Sequence, residues 1–79
     1  MPTVLTENGY RFYFYSNENE EPMHVHVEKG GGLGKIWLKP VVKMAYFTGL
    51  STREEKQIMN IIADHEEYLI KKWNEYFAK

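Results

Sequence analysis

The run Tyr10-Arg11-Phe12-Tyr13-Phe14-Tyr15 constrains this chain more than any other segment, because five of its six residues are aromatic. Rings lose side-chain freedom in a helix and fit a pleated surface well, so the run predicts a strand. Successive side chains of a strand point to opposite faces. Phe12 and Phe14 therefore share one face, and Tyr13 and Tyr15 share the other. Both faces are apolar, and a layer packed on one leaves the second to be covered by something else.

The neighbouring segments supply the rest of a sheet. Thr3 to Thr6 is a short β-prone run, and Glu7-Asn8-Gly9 follows with Asn-Gly, the strongest short hairpin signal. Ser16 to Pro22 is polar and acidic and reads as a loop. Met23 to Lys29 alternates, with Val25 and Val27 on one side and His24, His26 and Glu28 on the other. Gly30-Gly31-Gly32-Leu33-Gly34 reads as a flexible turn. Lys35 to Lys39 is a third strand, stopped by Pro40. Val41 to Phe47 is a fourth, although Lys43, Met44 and Ala45 also suit a helix, and Thr48-Gly49-Leu50 ends it.

Ser51-Thr52-Arg53-Glu54 is a capping box, in which the serine hydroxyl and the glutamate carboxylate each accept from the other's backbone amide. The sequence then runs to Phe77 without proline or glycine. Ile58, Ile61, Ile62, Tyr68, Leu69, Trp73, Tyr76 and Phe77 fall at spacings of three and four and make one stripe, with His65 inside it. Glu54, Glu55, Lys56, Glu67, Lys71 and Glu75 form the opposite, solvated face. The expectation is a single α+β domain over residues 1–79. Residues 1–50 make a small antiparallel sheet of about four strands, and residues 51–79 one long C-terminal helix, from Thr52 to about Tyr76, packed on one face.

A domain of 79 residues has a thin core, and this chain has no cysteine to staple it. Such a domain needs dense packing or a partner surface. The net charge of −1 excludes a strongly basic binder held to phosphates by counterion release, and no DNA partner is expected. No hydrophobic run approaches the ~20 residues of a membrane span, and the first residues have no basic region or long apolar stretch. The expected location is the cytoplasm, away from any membrane.

Chemistry-bearing residues are few. His24, His26 and Glu28 share a strand face at about 7 Å between successive Cα atoms. They are the ligand types of a two-histidine, one-carboxylate metal site, and also suit acid–base work or packing beside tyrosine rings. Pro22 before them and valines on the core side predict a pair accessible at a sheet end. No cofactor and no tightly held metal are expected, because only Glu28 is near enough in sequence to complete a site. His65 reads as a satisfied core residue, with a three-histidine zinc site as the other reading. Arg11, Lys29, Lys35, Lys39 and Lys43 lie among Tyr13, Tyr15 and Trp37, a pattern compatible with single-stranded RNA but disfavoured by the balanced charge. The glycine run lacks the Gly-Lys-Ser/Thr ending of a phosphate loop. The single aspartate, Asp64, leaves little material for nucleophilic catalysis.

Four segments carry a family resemblance. Met1-Pro2-Thr3, Tyr10 to Ser16, Glu21-Pro22-Met23-His24-Val25-His26-Val27 and His65 to Trp73 resemble the small bacterial proteins catalogued as domain of unknown function 4160. The resemblance covers nearly the whole chain. Its most specific parts are Pro22-x-His24-x-His26 and His65-x-x-x-Leu69-x-x-x-Trp73. Members often carry a second proline before the first histidine, where this chain has Met23. The resemblance implies no activity. It implies a gene beside that of another small domain, in a two-gene module of the toxin–antitoxin kind, and it draws attention to His24, His26, His65 and Trp73. Two readings stand at this point. One is an interaction protein that binds a partner or a second copy through Tyr13, Tyr15 and Trp37. The other is a small nuclease-like or metal-dependent enzyme using His24 and His26, with Arg11 or Lys35 stabilising charge on a phosphate.

Overall fold

The computed structural model describes residues 3–15 and 21–77. Five strands, β1 (Thr3–Glu7), β2 (Tyr10–Tyr13), β3 (His24–Lys29), β4 (Gly32–Trp37) and β5 (Lys43–Thr48), form one antiparallel meander in sequence order. Two helices follow, α1 (Thr52–Asp64) and α2 (Glu66–Tyr76). The α+β class holds, with corrections. The Thr3–Thr6 run is a fifth strand, and the C-terminal helix is two helices. Most of the loop expected at Ser16 to Pro22 lies outside the described residues.

Local chemistry explains the sheet. Asn8 and Gly9 both sit at positive φ, 55° and 82°, the left-handed pair whose twist suits a two-residue hairpin. The glycine-rich turn is shorter than the sequence implied, since it closes at Gly30-Gly31 and Gly32 already belongs to β4. Gly34 is a packing glycine. A Cβ there would lie 2.5 Å from the Phe47 ring and 3.0 Å from Val27, so the bare backbone makes room for Phe47. The third and fourth expected strands, Lys35–Lys39 and Val41–Phe47, move accordingly to Gly32–Trp37 and Lys43–Thr48.

Each border strand carries an irregularity. Pairing steps from Thr3↔Tyr13 to Leu5↔Phe12 at β1, and from Lys35↔Tyr46 to Ile36↔Met44 at β5. Val4 and Ala45 are the extra residues, and each bulge twists its strand out of a regular ladder.

The capping box forms as expected. Ser51 Oγ accepts from the Glu54 amide at 3.1 Å, and Glu54 Oε1 accepts from the Ser51 amide at 2.8 Å. From α1, Ile58, Ile61 and Ile62, and from α2, Leu69 and Trp73, pack on Phe12, Phe14, Val25, Val27, Ile36 and Leu38. The Tyr10 hydroxyl donates to Gln57 Oε1 at 2.7 Å, and the Tyr68 hydroxyl to the Val4 carbonyl at 2.8 Å, tying each helix to the sheet.

The break falls at His65, whose φ of −122° and ψ of 21° are not helical. Its amide is shared between the Ile61 and Ile62 carbonyls, 3.1 Å from each. Its ring Nδ1 donates to the Ile61 carbonyl at 2.8 Å, because a carbonyl can only accept. A side chain inserted into the carbonyl ladder in this way bends a helix. His65 is thus half-buried rather than a core residue, and its Nε2 lies 3.4 Å from Glu7 of β1.

Candidate functional site

The register lays out the sheet face opposite the helices as three rows. Arg11, Glu28, Leu33 and Thr48 form the first; Tyr13, His26, Lys35 and Tyr46 the second; His24, Trp37 and Lys43 the third. Direct cross-strand partners share a face, so these side chains are neighbours by construction of the ladder.

The centre of this face is closed. Tyr13 is 3% exposed, His24 0% and His26 4%. The expectation that the two histidines are accessible at a sheet end is therefore corrected. Alternation placed them on the side away from the valines, but that side is covered too. The Tyr13 ring stacks on His26 at 5.5 Å and 24°, and Tyr15 meets His26 edge-on at 4.4 Å. The His24 ring lies 5.1 Å from His26, 5.4 Å from Trp37 and 5.1 Å from Trp73, where α2 reaches the end of the sheet. Nδ1 of His24 donates to the Pro22 carbonyl at 2.9 Å, which fixes the ring's orientation.

The cations proposed for charge stabilisation are engaged. Arg11 Nε donates to Glu28 Oε2 at 3.0 Å, its terminal nitrogen donates to Thr3 Oγ1 at 2.8 Å, and the guanidinium lies 4.3 Å from the Tyr13 ring centre. The shared hydrogen bond raises the Arg11 pKa and holds the Glu28 carboxyl below its usual range. Burial pushes the Tyr13 phenol well above its ordinary value, and the hydrogen bond with Tyr15 adds to the shift. Lys35 Nζ is 2.9 Å from Glu21 Oε1 and 4.5 Å from the Trp37 ring centre. The same Glu21 oxygen lies 3.8 Å from His24 Nε2. Glu21 was not singled out in the sequence, although its place three residues before His24 was the available signal.

Among the described residues no three metal-ligating side chains stand together. His65 turns to Glu7 and Ile61, and Glu28 to Arg11, so neither completes a set with the histidine strand. Hollows on the described surface include one around His65, one on the outer side of α2 and one between β5 and α1. The last, of about 370 Å³, is lined by Met44, Phe47, Thr52, Glu55, Lys56, Met59 and Asn60.

Among the described residues, Tyr15, Tyr68 and Tyr76 are exposed singly, and the β4–β5 border is open over a longer stretch. Leu33, Val41 and Tyr46 are exposed, Tyr46 by 46% and Val41 by 62%, at the border that holds the half-buried Trp37. Met44, also 46% exposed, pairs with Ile36 on the helix side. Of the expected partner-binding trio, Tyr15 is exposed, Trp37 is half-buried and Tyr13 is buried. The exposure of Leu33, Val41, Met44 and Tyr46 was not legible, because alternation does not say where a helix layer ends. Over residues 9–74 the chain matches the family described as Domain of unknown function (DUF4160). The chain belongs to the DUF4160 family. The stretch matched to DUF4160 runs from the hairpin glycine to Asn74, and takes in β2 to β5, α1 and most of α2. The curated proteins and the solved structures offer no match. Within the DUF4160 match lie both histidines of β3, His65, Trp73 and the whole β4–β5 border.

Proposed function

We propose that this DUF4160 domain is a protein-interaction component that docks a partner against the outer side of β4 and β5. The observation that carries the reading is the exposure of Tyr46 and Val41 at the border that holds the half-buried Trp37, with Leu33 further along the same outer face. Single exposed apolar residues are ordinary, but several on one border with a tryptophan among them mark a contact surface. Against an enzyme count the closed setting of His24 and His26 and the engagement of Arg11 and Lys35 by carboxylates. The β5 bulge counts against simple strand addition, so the side chains of the face make the contact. A role in a two-gene, toxin–antitoxin-like module of the bacterial cytoplasm fits such a component, with the family resemblance as its support.

The test is a photoreactive side chain placed at Tyr46 or, separately, at Asn74 on exposed α2, in the host cell. The expected outcome is one defined adduct from position 46 and none from position 74. The reverse, or no adduct from either, overturns the reading.

A further inference from the structure

We infer that the occupant of the β4–β5 border is an acidic, apolar segment of a different protein, not a second copy of this chain. The inference rests on the docking reading above and adds the partner's chemistry.

The charge distribution carries it. Between Glu28 and Glu54 the sequence has Lys29, Lys35, Lys39, Lys43 and Arg53, and no Asp or Glu. That stretch contains β4, β5 and their connection. Lys39 and Lys43 are exposed, and neither has a carboxylate within ion-pair reach among the described residues. Lys43 pairs across from Trp37, and Val41 lies between the two lysines in the chain. Apolar side chains and unpaired cations are therefore interleaved on one border. A complementary surface carries apolar groups and carboxylates. An antiparallel, two-fold contact between two copies would instead set this border against itself and bring Lys39 and Lys43 of both into one interface. Like charges so placed oppose association.

Nucleic acid is the other polyanion to weigh. Tyr46 and Trp37 offer rings, but Trp37 is half-buried under Lys35, and Leu33 and Val41 give a base nothing to stack on. The carboxylates of Glu21 and Glu28 stand on the same face beside Lys35 and Leu33 and repel a phosphate chain. The geometry favours a peptide.

The experiment is an amide-resolved NMR titration of the full chain with three probes: a capped dodecapeptide alternating valine and glutamate, its valine–lysine counterpart, and a dodecauridylate. A Lys39→Glu/Lys43→Glu variant is titrated in parallel. Both lysines are exposed, so the variant is expected to fold, which its unperturbed core amides report. The expected result is that the glutamate peptide shifts Leu33, Trp37, Lys43 and Tyr46, binds about tenfold more weakly to the variant, and weakens with salt, while the lysine peptide prefers the variant. Binding of the lysine peptide to the parent as tightly as the glutamate one overturns the inference, as do preference for the uridylate, shifts confined to the helices, or no shifts with any probe. A self-adduct from the position 46 cross-linker also overturns it, yet leaves the docking reading standing. No adduct at all brings down the docking reading itself.

Discussion

Trp73 joins the two halves of the core. Its ring is 5.3 Å from Phe14 on the sheet, 4.2 Å from Phe77 and 5.1 Å from His24. Trp73→Ala should cost about 3–5 kcal/mol, a large share of the ~5–15 kcal/mol that holds a domain together. Thermal unfolding should report a melting point lower by some tens of degrees, or no folded protein, with Trp73→Phe in between. His24 calls for a similar expectation. His24→Ala leaves the Pro22 carbonyl without its donor and opens a void beside Trp37 and Trp73. A loss of about 1–3 kcal/mol is expected by urea titration, where an exposed histidine would show almost none. The burial of Trp73 was legible, because it stands four residues from Leu69 on an apolar stripe. The burial of His24 was not. A two-residue period tells which face a side chain takes, and nothing about what lies over that face.

At the scale of elements, the start of α1 has two measurable consequences. Ser51→Ala removes an acceptor for the Glu54 amide and should cost about 1 kcal/mol in denaturant unfolding. The hydrogen bond from the Ser51 backbone amide, with the Ser51 side chain adding to it, holds the Glu54 carboxyl below its usual range, as the Arg11 hydrogen bond does for Glu28. A depressed carboxylate stabilises the fold above the unfolded value of about 4.3, and that contribution is lost as pH falls through the folded value, since the unfolded chain then binds more protons. Melting points measured from neutral to strongly acid pH should fall below about pH 4.3, and less steeply in Glu54→Gln. The cap was legible because its chemistry is local. The break at His65 was not, because Leu69 still donates to the His65 carbonyl at 2.9 Å and the apolar stripe keeps its phase across the bend. His65→Leu, which cannot bond the Ile61 carbonyl, should give unbroken helical Cα chemical shifts through this position; a persisting break would place its cause elsewhere, in the tie of Tyr68 to Val4.

Over the whole molecule, one helical layer meets a sheet that is apolar on both faces. The aromatic run announced that problem, and the structure resolves half of it by closing the centre of the far face around Tyr13, His24 and His26. Where the closure stops depends on strand register and on the reach of side chains across the ladder, which no single segment encodes. The β4–β5 border stays open, and its lysines predict that the isolated chain does not pair through it. Sedimentation at micromolar concentration should show a 9.4 kDa species, with no loss of mass on Tyr46→Asp, whereas a dimer abolished by that substitution would assign the border to self-association. The bulges at Val4 and Ala45 have a different reach. Fibrils grow when a free strand offers an unbroken template that copies itself with each recruit. Here a recruited strand would lose step with either border after a few residues, so the folded chain is expected to stay free of amyloid at high concentration, which thioflavin fluorescence would check, even while it displays tyrosine, methionine and valine to the solvent.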